Sequence, residues 1–166
     1  MNDNRGKPIQ GLSKSRILSI LKKIPIFTGM LDNEYEVLID VFDVVQVEAG
    51  SVLFEEGQSG DVMYVLLAGA VEISTRKSGI IYNMQPGEMI GEIGAVCQMP
   101  RSATAAVSAA SSFLCLGSRD INQLAGKSPR VSFVIMRNIA KTLAERLMNT
   151  NKHIPIELEA SKEEGS

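Results

Sequence analysis

The sequence predicts a mainly β protein with flanking helices: an eight-stranded antiparallel double-sheet roll, a jelly roll, with helices before it and one long helix after it. Three observations predict this. The hydrophobic period is helical at both ends of the chain and two in the middle. Between Phe54 and Gly117 the glycines Gly57, Gly60, Gly69, Gly79, Gly87, Gly91 and Gly94 divide most of the chain into short β-prone runs. No stretch alternates a strand with a long helix, so tight antiparallel connections are expected rather than crossovers.

Residues 1–11 are polar and read as a flexible N-terminus. Leu12, Ile17, Leu18, Ile20 and Leu21 then recur at helical spacing with Ser13 or Ser15 able to cap, which predicts a helix over 12–24 interrupted by Pro25. Leu31, Tyr35, Leu38, Ile39 and Phe42 repeat every three or four residues, predicting a second helix over 32–40 with Asp32 as its N-cap. From Val44 the period is two, and the roll is expected over 44–117, with runs at Val52–Phe54, Met63–Leu67, Val71–Ser74, Ile80–Met84, Thr104–Ala109 and Phe113–Leu116. Helical spacing returns with Ile121 and Leu124, breaks at Ser128-Pro129 and resumes, giving C-terminal helices over 119–150. Met136, Ala140, Leu143, Leu147 and Thr150 form a stripe on the last helix that suits either the chain's own roll or a homodimer partner. The tail 151–166 reads as flexible and acidic.

A chain of 166 residues suits one domain, here 12–150, and 45% hydrophobic against 22% charged residues is enough to build a core. A formal net charge of -2 offers no general attraction to nucleic acid or an anionic membrane, so neither is an expected partner. No apolar run is long enough to span a bilayer and the opening residues lack a signal-peptide core, so a cytoplasmic location is expected. Cys97 and Cys115 are too few for a disulfide framework or a four-cysteine zinc site, and read as reduced packing residues. His153 is the sole histidine and lies outside the strands. That leaves no ligand set for a cupin-type metal and no Ser-His-Asp arrangement, so neither a metal nor catalysis is expected.

One segment carries the function: Ile90-Gly91-Glu92-Ile93-Gly94-Ala95-Val96-Cys97-Gln98-Met99-Pro100-Arg101-Ser102-Ala103-Thr104-Ala105. In order, residue type and spacing it resembles the phosphate-binding cassette of the cyclic-nucleotide-binding domain family, of the catabolite-activator type. The resemblance covers roughly residues 22–150, with Gly50-Ser51, Gly57, Gly60-Asp61 and Gly69-Ala70-Val71 standing where the family has turn glycines. It implies a cyclic nucleotide ligand, cAMP or cGMP, bound by Gly91, Glu92, Ile93, Gly94, Arg101, Ser102, Ala103 and Thr104.

A cyclic phosphate is one negative charge on a pair of exocyclic oxygens, and the guanidinium of Arg101 presents parallel donors that match such a pair. A helical turn after Gly91 can aim backbone amides at an anion, and Ser102 and Ala103 are close enough in sequence to add theirs. Glu92 is an acceptor-only carboxylate suited to the ribose 2′-hydroxyl. The family resemblance further places Thr150 and Asn151 at the positions that read the base, with Asn151 departing from serine; both donor and acceptor, it favours cAMP over cGMP. Thr104 keeps cGMP open, because family members that accept cGMP often carry threonine there. The function expected is a regulatory sensor that transmits occupancy through its C-terminal helix to a downstream protein. Alternatives are a ligand-free interaction or dimerisation module of the same fold, and a cyclic dinucleotide sensor.

Overall fold

The computed structural model describes residues 7–9 and 13–152, without the side chains of Pro8, Asn151 and Lys152; His153 and the rest of the tail lie outside the described residues, as do 1–6 and 10–12. Among the described residues there are seven strands, β1 Lys7–Pro8, β2 Asp43–Val47, β3 Val52–Phe54, β4 Val62–Thr75, β5 Gly79–Met84, β6 Met89–Ile90 and β7 Thr104–Gly117. Five helices accompany them, α1 Lys14–Leu21, α2 Asp32–Ile39, α3 Glu92–Cys97, α4 Ser118–Lys127 and α5 Pro129–Lys152, and a 3-10 turn at Pro25–Phe27 follows α1. All pairing is antiparallel, in the order β1-β2-β7-β4-β5, with β3 also on β7 and β6 also on β4.

The roll is the expected one, but its strands are fewer and longer than the eight read from the sequence. The runs Met63–Leu67 and Val71–Ser74 are one strand, β4, and Thr104–Ala109 and Phe113–Leu116 are likewise one strand, β7. Gly69 marks a bend and not an end. The β4–β7 register shifts between Leu66 and Val71 while pairing continues on both sides. Gly69 sits at φ +108, and a Cβ there would lie 2.1 Å from Ser111 Oγ. That hydroxyl, on a residue only 2% exposed, accepts the Ala70 N–H at 3.0 Å and donates to Ala109 O at 2.7 Å, satisfying backbone groups that the bulge takes out of the ladder.

Period-two alternation in β4 and β7 builds two cores. Val62, Tyr64, Leu66, Phe113 and Cys115 point into the roll with Val45, Leu53, Phe54 and Val107. Met63, Val65, Leu114 and Leu116 point out, under a helical layer formed by Leu21, Phe27, Leu38, Leu124, Val131, Ile135 and Ile139. Burial on both faces is why the run from Val62 to Leu67 is apolar without alternation. Cys115 is buried as a packing residue, whereas Cys97 is exposed; neither is in a disulfide.

The helices differ in detail from the sequence reading. Ser13 caps α1, its Oγ accepting the Arg16 N–H at 3.4 Å. In α2, Asp32 is the first helical residue rather than the cap, and Glu34 reaches back to accept the Leu31 N–H at 2.7 Å. Asp32 instead pairs with Lys22 at 2.6 Å. The long α5 is tied to the N-terminal segment by Asn138, whose Nδ2 donates to Ile26 O and Thr28 O, both at 2.9 Å. Of the stripe on α5, Met136 and Leu143 pack partly buried against the helical core, while Leu147 is 62% exposed. No helix among the described residues is long and apolar enough to cross a membrane.

Candidate functional site

A cavity of about 680 Å³ opens between the roll and the end of α5. Its floor is the segment singled out in the sequence: Gly91, Glu92, Ile93, Gly94, Arg101, Ser102 and Ala103 all line it, and Thr150 closes it from above. Thr104 does not line it, since its Oγ1 accepts the Glu56 N–H at 3.0 Å. Asn151 lies in α5 with its side chain outside the described residues.

Local backbone geometry explains how residues nine positions apart share this cavity. Gly91 caps α3 at φ +81 in the left-handed region, which turns the chain from β6 directly into the helix and makes Glu92 its first residue. The helix ends on Gln98, also left-handed at φ 56, and the chain doubles back. Arg101 is then held from both sides of its peptide: its N–H donates to Gln58 O at 2.9 Å and its carbonyl accepts the Gly57 N–H at 2.8 Å.

Arg101 is buried, 6% exposed, and its guanidinium is oriented by main chain. Nη1 donates to Gly91 O at 2.9 Å and Nη2 to Val62 O at 2.8 Å, with the group stacked 4.1 Å over the Phe54 ring. Glycines make the room. A Cβ on Gly60 would come within 2.4 Å of Nη2, and one on Gly91 within 2.3 Å of Nη1. The turn glycine at 60 is therefore also part of the arginine's seat, a role that spacing alone could not reveal.

Glu92 is 3% exposed, and its Oε1 accepts a hydrogen bond from Arg146 Nη1 at 2.9 Å. Arg146 Nη2 donates to Met89 O at 2.6 Å, so this one side chain of α5 grips both the cassette and the strand before it. Sequence reading missed Arg146. The signal was available: Arg146, Asn149 and Thr150 stand at i, i+3 and i+4, so one helix face carries all three into the cavity. Thr150 Oγ1 donates to Arg146 O at 3.0 Å.

The far wall was missed as well. It consists of Phe54, Ile73, Ile81, Tyr82, Met84 and Glu88. Tyr82 Oη donates to Glu88 Oε2, and burial first, then that hydrogen bond, push the phenol up to about 12. The cavity thus joins a polar floor, where charges are buried and fixed, to a largely apolar wall with one tyrosine–carboxylate pair. Among the described residues no cluster of three or more His, Cys, Asp or Glu side chains could hold a metal.

Comparison with known proteins agrees with this geometry. The model of the cyclic nucleotide-binding domain matches residues 44–128, just over half of the chain. A cAMP-dependent protein kinase regulatory subunit of Yarrowia lipolytica is 28% identical over 64% of this chain and 28% of its own length. A cyclic nucleotide-gated potassium channel of Mesorhizobium japonicum is 30% identical over 76% of this chain and 34% of its own. The chain thus spans about a third or less of these curated relatives. Among solved structures, a cyclic nucleotide-binding domain from Methylobacillus flagellatus superposes with a TM-score of 0.72 at 25% identity, covering 83% of this chain and 80% of that one. The catabolite activator protein of Thermus thermophilus, at 24% identity and a TM-score of 0.67 over 76% of this chain and 60% of that one, shares the fold. With the family's model matching across the roll, and the cassette, the roll and the closing helix in one arrangement, the chain belongs to the cyclic nucleotide-binding domain family.

Proposed function

We propose that this domain binds a cyclic nucleotide, cAMP in preference to cGMP, and transmits occupancy through α5 as a regulatory sensor without chemistry of its own. One observation carries the reading: Glu92 and Arg101, an acid and a base that are both buried, line the same cavity with Gly91, Gly94, Ser102 and Ala103. Glu92 already accepts from Arg146, and Arg101 already donates to Gly91 O and Val62 O; a cyclic phosphate joined to a ribose adds one anion for the guanidinium and one hydroxyl donor for the carboxylate. The phosphate sits on Arg101 and the amides of the cassette. The ribose 2′-hydroxyl donates to Glu92. The base extends toward Ile81, Tyr82 and Met84 under Thr150.

The output follows from Arg146. Because Glu92 is both the ribose acceptor and the anchor of Arg146, a ligand that donates to Glu92 changes what holds α5 down. A ligand shifts a conformational equilibrium only by its differential affinity for the two states, and this shared carboxylate provides such a difference.

Calorimetric titration with cAMP, cGMP and cyclic di-GMP tests the reading, with cAMP expected to give the tightest saturable binding. Absence of binding by all three returns the chain to a ligand-free interaction module of the same fold; binding of cyclic di-GMP alone makes it a cyclic dinucleotide sensor. The exposed Leu147 and Met148, with Phe133 64% exposed near the start of α5, favour a homodimer through this helix, to be read by sedimentation equilibrium.

A further inference from the structure

The polar floor of the cavity accounts for phosphate and ribose, and leaves the base to the opposite wall. Most of that wall is apolar and can only sandwich a ring. Glu88 is its acidic group, and Glu88 is preorganised to a degree that a solvated surface carboxylate is not.

Its backbone closes the turn Gln85-Pro86-Gly87-Glu88, with Glu88 N–H donating to Gln85 O at 3.1 Å and Gly87 at φ +92, the arrangement that Pro and Gly at the two central positions favour. The turn is fixed to β4 on both sides: Gly87 N–H donates to Leu66 O at 2.7 Å, and Leu66 N–H donates to Glu88 O at 3.0 Å. The side chain is fixed too. Oε2 accepts the Gln85 N–H at 2.7 Å and the Tyr82 hydroxyl. Both donors go to the same oxygen. Oε1 accepts no hydrogen bond from the described residues, although Glu88 lines the cavity and is only partly exposed.

We propose that Glu88 is a base-reading residue, its Oε1 accepting the exocyclic amine of adenine, and that Tyr82 is the positioning residue that aims it. This deepens the cyclic-nucleotide reading and rests on it. A carboxylate only accepts hydrogen bonds, so the edge it reads must donate. The 6-amino group of adenine donates; the 6-oxo group of hypoxanthine or guanine at the same position accepts and faces a second acceptor, and the N1–H beside it reaches Oε1 only if the base shifts along its edge. Such a mismatch in a partly desolvated site discriminates more strongly than loss of packing does. Tyr82 remains a donor across the physiological range, because its phenol is held well above it.

The experiment compares the 3′,5′-cyclic monophosphates of adenosine, guanosine and inosine on the wild-type domain and on Glu88→Gln and Tyr82→Phe, each checked for an unchanged circular dichroism spectrum. The wild type is expected to prefer the adenosine over the inosine ligand by roughly tenfold or more. Glu88→Gln, whose amide can also donate to a 6-oxo group, should bring the two within about threefold, and Tyr82→Phe should fall between. A wild-type ratio near one, or a ratio that Glu88→Gln leaves unchanged while all three ligands still bind, overturns the role of Glu88 alone. Failure of the wild type to bind any of the three overturns the cyclic-nucleotide reading and this inference together.

Discussion

Arg146 on the final helix donates to Glu92 on the cassette helix at 2.9 Å, across a separation of 54 residues, and the carboxylate it meets is almost wholly buried. The arginine is not: its side chain is 41% exposed, so solvent screens one partner and not the other. The value of the contact lies less in Coulomb attraction than in sparing Glu92 an unsatisfied burial.

Arg146→Met keeps the length of the stem and removes both donors. Stability is expected to fall by about 1–3 kcal/mol, discounted from the cost of a fully buried pair because of the exposure of Arg146. Amides in the last two turns of α5 should exchange faster. A urea midpoint and exchange pattern equal to the wild type's would show that the pair does not hold the helix.

Arg101→Lys tests whether a fork or merely a charge is needed. One ammonium cannot span Gly91 O and Val62 O, which the two terminal nitrogens of Arg101 now reach at 2.9 and 2.8 Å. We expect cAMP affinity to drop by about 2 kcal/mol or more, roughly thirtyfold, with some loss of melting temperature. Retention of wild-type affinity would remove Arg101 from the phosphate site.

Glu92→Ala is expected to weaken cAMP by about 1.5–3 kcal/mol and 2′-deoxy-cAMP by markedly less, because the second ligand lacks the donor that the carboxylate accepts. The four dissociation constants form one cycle. Equal losses for the two ligands would mean that Glu92 acts through Arg146 and never touches the ribose.

Ser111→Ala probes the fold rather than the site. It strips the acceptor from the Ala70 N–H at a position 2% exposed, beside a glycine with no side chain to compensate. The expected cost is about 1–3 kcal/mol, with ligand preference unchanged. An unaltered denaturation midpoint would show that the bulge holds without the hydroxyl.

Local sequence carried a large part of this. Periodicity separated the helical ends from the roll, because a strand presents alternate residues to each face and a helix presents every third or fourth. The cassette was legible because Gly91, Glu92, Gly94 and Arg101 lie within eleven residues in an order and spacing that resemble the family's phosphate-binding cassette. The strand number was not. Gly69 looks like a turn in one dimension, and only the pairing of β4 with β7, with Ser111 filling in at the bulge, turns it into a bend within a continuous strand.

What the sequence by itself determined was the kind of elements, their order, and the loop whose chemistry belongs together, since each depends on neighbours along the chain. What only the tertiary structure decided was which distant groups meet. The seat that Gly60 and Phe54 make for Arg101, the pairing of Tyr82 with Glu88, and the reach of Arg146 to Glu92 all arise from long-range packing. The physical reason is that α5 is placed by its buried face, Val131, Ile135 and Ile139, and by the bonds of Asn138 to the turn before α2, none of these residues lining the cavity itself. That buried face sets where the helix delivers Arg146.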